Sequence, residues 1–387
     1  MKKFILIFTV IVMACCMAMA VIACQPNKSN TDEPKMDIVE MSYDASTKYG
    51  VYWFGDNNND YVRSSENMDT KYFDPSKPTF VFAHGWEPDS DNSSNGFFED
   101  FITHKETVSN TGTKDVRDYA ANLKAQGYNV ACLSWFSYAK SLGSLFGYIW
   151  VKFDGGYALS TRLAMELALV LGEEYNGDVK MVGHSYGSQL ALATTYQLVK
   201  MKENEYFNNN HIIPTRMTLA DPYFGDKTLI TGWSKISKDK ISLINENIDR
   251  RAPSALFADI TEYVVNKNDI AVDMYFGMSI ASTLYYKYDG SDKSFEKLIK
   301  YSTVVKSEGL KDRYGDLNIH NIVRDWTLLS IVDNVKMYDQ NSNLAPSGAA
   351  SDNEIKSMRG KCYYQTYNGL DLSKDSLKLI NRETETF

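Results

Sequence analysis

Gly183-His-Ser-Tyr-Gly187 sets a serine between two glycines in the pattern G-x-S-x-G, after the strand-like Val179-Lys-Met-Val182 and before a helical stretch from Gly187 to about Lys202. A bare G-x-S-x-G arises by chance in roughly one chain of this composition in ten, so the strand before it and the helix after it carry most of the weight. In that setting the turn is tight enough to strain the nucleophile's backbone, and a Cβ two residues to either side would clash. A serine hydroxyl is a weak nucleophile. It needs a base, an acid to orient that base, and donors for the oxyanion.

Five histidines are available: His84, His104, His184, His211 and His320. In a strand–turn–helix setting of this kind the acid and then the histidine follow the nucleophile in the chain. His84 and His104 precede Ser185, His184 lies within the turn, and His211 falls in the polar stretch Phe207-Asn-Asn-Asn-His211. His320 remains, at the start of the apolar helical sequence Ile319-His-Asn-Ile-Val-Arg-Asp-Trp326. Two carboxylates compete for the acid. Asp221 follows the run Met217–Ala220, and Asp269 follows Glu262–Val265, which reads as a strand. Whichever is not used is a loop-capping carboxylate.

The elements that must position these groups alternate along the chain. Tyr49–Phe54 and Tyr61–Arg63 flank the turn-forming 55–60 and read as a β-hairpin. Asp56, Asn58 and Asp60 imitate the start of a calcium loop, but Tyr61 stands where the sharp turn needs Gly and Asn67 where a bidentate Glu belongs. No metal and no cofactor is expected. Thr79–Ala83 and Asn129–Leu133 are buried-type strands; Val116, Ala120 and Leu123 mark one helix face closed by Gly127; a helix runs from about Tyr157 to Glu174, ending near Gly177. Arg216–Ala220 and Glu262–Val265 complete the strands. The alternation predicts an α/β fold with a mainly parallel central sheet and helices on both faces, its functional loops at the carboxyl ends of the strands.

These residues resemble the serine lipases of the α/β-hydrolase fold over approximately residues 77–329. Phe80-Val-Phe-Ala-His-Gly-Trp86 is similar to the His-Gly-aromatic oxyanion segment of pancreatic-type lipases and phospholipases A1, and Tyr128–Trp135 to their next strand. Leu219-Ala-Asp-Pro222 resembles their Leu-Asp-Pro acid motif with one Ala inserted. The Gly-His-Ser turn, Pro222–Asp226 and Val265–Ile270 are also similar to class 3 lipases, whose acid lies in the last of these segments. The region after His320 is too short for the β-sandwich that follows the catalytic domain in pancreatic lipases. The resemblance implies an ester hydrolase with Ser185 as nucleophile, His320 as base, Asp221 favoured over Asp269 as acid, and oxyanion donation from the backbone N–H groups of Trp86 and Tyr186. The alternative is a surface lipoprotein that keeps the fold as a non-catalytic lipid-binding or adhesion module.

The N-terminus is a separate matter. Lys2 and Lys3 precede an apolar run from Phe4 to Ala23, and Val21-Ile-Ala-Cys24 resembles a bacterial lipobox. The expected organisation is a signal peptide over 1–23, a lipidated Cys24 opening a polar tether over 24–38, a catalytic domain over 39–338 and a C-terminal extension over 339–387. That implies a protein lipid-anchored in the bacterial cell envelope, at the outer membrane or cell surface; a monomer is expected. Of five Cys, Cys132 and Cys362 are then the candidates for a disulfide, with a buried thiol the other reading for Cys132. Removal of 1–23 leaves 39 basic against 49 acidic groups, a net charge of −10. That balance, without basic blocks, excludes nucleic acid as a partner. It also means that contact with anionic lipid rests on the acyl anchor and on apolar loops. Two apolar stretches, Ser141–Phe153 and 274–286, would wall an acyl site, form a lid, or pack as ordinary helices.

Overall fold

The hairpin expected at the start is formed by β1 (Tyr49–Phe54) and β2 (Tyr61–Arg63), antiparallel, with Tyr52 opposite Arg63. The structure is a computed structural model that describes residues 49–56, 60–64, 71–85, 103–107, 114–135, 159–223, 253–277, 292–307, 319–366 and 376–381. The expected lipidation site Cys24, the expected oxyanion donor Trp86 and the apolar stretches 141–153 and 278–286 lie outside them.

β3 (Thr79–Ala83), β6 (Asn129–Trp135), β7 (Val179–His184), β8 (Arg216–Ala220), β9 (Ala271–Phe276), β10 (Thr303–Lys306) and β13 (Cys362–Thr366) run parallel. With β1 and β2 at one edge and β14 (Ser376–Leu379) antiparallel at the other, they make a ten-stranded sheet. Its order is β2-β1-β6-β3-β7-β8-β9-β10-β13-β14, while β11 (Met337–Tyr338) and β12 (Leu344–Ala345) pair as a separate antiparallel ribbon. The order reverses around β3: the chain goes from β3 outward to β6, then crosses back over β3 to β7. Such a switch opens a crevice at the carboxyl ends of β3 and β7, where open α/β sheets place their sites.

The helices cover both faces. α1 (Tyr119–Ala125) and α6 (Ile319–Val332) pack together, Tyr119, Leu123, Leu328 and Val332 clustering with Phe80, Phe82 and Val182 of the sheet. On the opposite face α2 (Leu159–Leu171), α3 (Tyr186–Glu203), α4 (Pro253–Asn268) and α5 (Asp292–Tyr301) lie side by side. Thr195 of α3 reaches Met181, the neighbour of Val182 that points the other way, at 3.6 Å.

Four expectations are corrected. Val116 is not on a helix face: it sits in β5 (Lys114–Asp118), paired with Lys105 of β4 (Thr103–Thr107). The helix begins one residue after Asp118, whose extended backbone and carboxylate, accepting from the Ala121 N–H at 2.8 Å, make it the N-cap. α2 stops at Leu171 rather than near Gly177, because Gly172 at φ 69° closes it in the left-handed conformation. Glu262–Val265 is no strand but the middle of α4, which opens on Pro253. Leu256, Phe257, Ile260, Thr261, Val264 and Val265 are its buried stripe. The strand comes later, as β9, so Met274–Phe276 are sheet core rather than loop.

The chain after residue 338 builds into the same sheet through β13 and β14, and α7 (Asp352–Ser357) carries a complete capping box between Ser351 and Glu354. Its attachment centres on Arg216 of β8, which is buried. The guanidinium donates to Asp273 of β9 at 3.0 and 2.7 Å, to the Ser347 carbonyl at 2.9 Å and to the Ala350 carbonyl at 2.5 Å. Thr218 and Tyr275 hydroxyls donate to the same carboxylate. Cys132 and Cys362 are both buried free thiols. Five strands separate β6 from β13, about 29 Å at ordinary strand spacing. A disulfide bridges Cα atoms no more than about 7 Å apart, so the open pairing is excluded.

Candidate active site

Ser185 links β7 to α3 at φ 56° and ψ −125°, a backbone state that L residues rarely adopt. Neighbours hold it there: its N–H donates to the Ala220 carbonyl at 3.1 Å, and its own carbonyl accepts from Tyr223 N–H at 3.2 Å. The flanking glycines are demanded by close approach. A Cβ on Gly187 would lie 2.1 Å from the Ala83 carbonyl oxygen, and one on Gly183 would lie 2.6 Å from the Ser188 Cα. The segment after β3 therefore rides directly on the turn, and a Cβ on Gly85 would lie 3.0 Å from the Ser185 Cβ.

Asp221 ends β8 at φ 39° and is fully buried. Its Oδ1 accepts from the Gly277 N–H at 2.8 Å, and its Oδ2 accepts from His320 Nδ1 at 2.6 Å. The carboxylate thus has one fixed backbone donor and one imidazole. Asp269 lies elsewhere. With α4 in place of the expected strand, it falls before β9, at the edge of the sheet where Ala271 pairs with Thr215, remote from the carboxyl ends. There it makes exposed ion pairs with Lys356 at 3.2 Å and Arg359 at 2.9 Å. The structure brings Asp221 to His320 and leaves Asp269 out.

Tyr186 is the first residue of α3, where backbone N–H groups have no acceptor inside the helix. Its ring packs against Tyr223 at 4.5 Å and Trp135 at 6.2 Å, which gives the site an aromatic flank. Burial pushes its phenol far above the usual value, so the hydroxyl stays neutral.

Two of the four histidines set aside as bases, His84 and His184, are part of the surroundings. His84 Nε2 accepts from the Trp135 N–H at 3.3 Å, which leaves Nδ1 as the protonated nitrogen, donating to the Gly85 carbonyl at 2.9 Å. His184 Nε2 donates to the His320 carbonyl at 3.2 Å. Nothing in the sequence marks the Gly277 donor, because any residue supplies a backbone N–H. The pair His84 and His184 was visible, each beside a motif glycine.

His184 is held well below its ordinary value of 6.5, first by burial, then by the charges of His320 and Arg324. The folded state therefore binds its proton less readily than the unfolded chain. The stability this contributes is complete above about pH 6.5 and is lost as pH falls from there toward the depressed folded value. Between pH 6.5 and 5 the melting temperature of the wild type should fall more steeply than that of His184→Gln, measured by calorimetry. Equal slopes would count against a neutral buried His184.

The sheet order, the strained turn after β7 and the Asp221–His320 pair define an α/β-hydrolase fold of the lipase type. Residues 107–278 match the family model for lipase (class 3), a stretch that holds Ser185 and Asp221 and ends before His320. The match supports a lipolytic carboxylic ester hydrolase. Among solved structures the chain is similar to Est1E from Butyrivibrio proteoclasticus, at 12% identity over 57% of this chain and 77% of that one, with a TM-score of 0.26. It is also similar to a structure from the work on LipS and LipT, two metagenome-derived lipolytic enzymes, at 10% identity over 56% and 81%, with a TM-score of 0.29. At those scores neither likeness carries the class, which rests on the fold and the family match. No curated protein matches.

Proposed function

We propose that this protein is an exported, lipid-anchored serine hydrolase that cleaves acyl esters of lipids, as a triacylglycerol lipase or phospholipase A1. Ser185 Oγ attacks the ester carbonyl while His320 Nε2 takes its proton. Asp221 holds the Nδ1–H of the imidazole and stabilises the imidazolium that forms. The N–H groups of Trp86 and Tyr186 donate to the oxyanion, and being main-chain groups they need no reorganisation as charge develops. Collapse of the tetrahedral intermediate expels the alcohol, which leaves with the proton held on His320. Water, deprotonated by His320, then attacks the acyl-enzyme, releasing the fatty acid and restoring Ser185. The observation that carries this reading is the 2.6 Å contact between His320 and a fully buried Asp221, in the crevice that also holds the strained Ser185. Lipid modification at Cys24 would keep the protein at a membrane surface in the cell envelope, where its substrate lies.

A fluorophosphonate probe should label the protein once, on the peptide carrying Ser185. Triglyceride emulsion, phospholipid vesicles and a soluble short-chain ester, assayed in parallel, should separate lipase from phospholipase, with at least one lipid turned over faster than the short ester. No labelling and no hydrolysis would favour the non-catalytic binding module instead. Fatty acid labelling in cells, lost in Cys24→Ser, tests the anchor.

A further inference from the structure

His184 is the last residue of β7, next to Ser185, and the scheme above gives it no part. Its surroundings are specific. Its Nε2–H donates to the His320 carbonyl at 3.2 Å, and the two rings pack with centroids 4.5 Å apart at 41°. On its other side, a Cβ on Gly85 would come within 3.1 Å of Nδ1, so the ring fills the space between the oxyanion segment and α6. It is 5% exposed. The groups facing it are His320 and Arg324 from α6 and His84, which follows β3, and His320 is in turn paired with Asp221.

We propose that His184 is a positioning residue of the reaction, holding the His320 ring and the first turn of α6 against the nucleophile turn. The inference rests on the reading of Ser185 as nucleophile and His320 as base. An imidazole tethered only at Nδ1 can swing about its contact with Asp221. A second ring against its face, together with a donor to its own carbonyl, removes that freedom. A carbonyl has two lone pairs, so the His320 oxygen can accept this bond as well as one from the helix ladder. His184 does this as a neutral ring; a charged one would oppose the imidazolium that forms on His320.

Three replacements separate the components: His184→Gln keeps an N–H donor, His184→Phe keeps a ring, and His184→Ala keeps neither. Turnover of a soluble ester is measured per serine titrated by fluorophosphonate, with KM and the pH profile. His184→Ala should lose about 100-fold in kcat, the scale of a misplaced reacting group, with KM little changed and the acid limb of the profile displaced. His184→Phe should fall between it and wild type, and His184→Gln should recover most of the rate. A lowered melting temperature with wild-type kcat per titrated serine and an unmoved acid limb would overturn the proposal. If His184→Ala does not fold, His184→Phe decides, since wild-type kcat in that variant overturns the role of the donor. If Ser185→Ala hydrolyses the ester at the wild-type rate, it is the nucleophile reading that has failed. If Ser185→Ala is inactive and His184→Ala turns over normally, only the present inference falls.

Discussion

Asp221→Asn should lower kcat by about four orders of magnitude while leaving the fold intact. The argument is one of donors and acceptors. Asp221 stands between two N–H groups, Gly277 N at 2.8 Å and His320 Nδ1 at 2.6 Å, and a carboxylate can accept from both. An asparagine has one oxygen. If that oxygen stays on the Gly277 N–H, which is fixed by the end of β9, the amide NH2 faces His320 and Nδ1 must become the acceptor. The imidazole then carries its hydrogen on Nε2, the nitrogen that has to take the proton from Ser185. Asp269→Asn removes a carboxylate that is 66% exposed in its side chain and pairs with Lys356 and Arg359. Surface pairs of that kind contribute about 0–1 kcal/mol, so its kcat should stay close to wild type. The measurement is turnover of a soluble ester per titrated serine. An active Asp221→Asn beside an inactive Asp269→Asn would reverse the assignment.

The second large effect concerns stability. Asp273→Ala leaves the Arg216 guanidinium buried with carbonyls and without the carboxylate it pairs with, and breaking a buried pair in this way costs about 3–5 kcal/mol. Against a typical domain stability of about 5–15 kcal/mol, the variant should be close to unfolding in dilute urea. Replacing both partners, Arg216→Met with Asp273→Leu, should recover part of the loss, because no charge then remains buried. Recovery should be incomplete, since the carbonyls of Ser347 and Ala350 lose their donor. Urea midpoints of the two single variants and the double one decide it. A cost below about 1 kcal/mol for Asp273→Ala would mean that the pair contributes little.

Legibility in the sequence followed the physics of each element. β3 was readable as a short apolar run, and β7 and β8 as short runs broken only by single polar residues such as Lys180 and Thr218, with turn residues bounding each one. The start of α1 was not: Val116, Ala120 and Leu123 fit helical spacing by coincidence, while the Asp118 cap that decides the boundary is a single residue. Four residues, Glu262–Val265, ending in two valines, read as a strand. The i, i+3, i+4 stripe from Leu256 to Val265 that makes them helical needs a window more than twice as long. That one misreading also created the ambiguity over the acid. With a strand at 262–265, Asp269 would sit at a carboxyl end beside the nucleophile; with a helix there, it falls at the opposite edge of the sheet. Ser185 stood out through its glycines and His320 through chain order. The supporting roles of Gly277, His84 and His184 depend on contacts between residues far apart in the chain, which no local pattern records.

The attachment of Arg216 also has a bearing on the order in which the chain can settle as it emerges from its N-terminus. Arg216 appears 57 residues before Asp273 and more than 130 before the carbonyls of Ser347 and Ala350. Asp273 supplies the counter-charge early, but until the two carbonyls arrive the guanidinium that β8 carries into the middle of the sheet has N–H groups without acceptors. A truncated product ending before residue 347 would hold the serine, the histidine, both candidate acids and Asp273, and would still leave the buried guanidinium without its two carbonyl acceptors. The C-terminal segment thus completes the partners of a buried charge in a central strand, and its loss should be felt as lowered stability in a centre that lies well upstream of it.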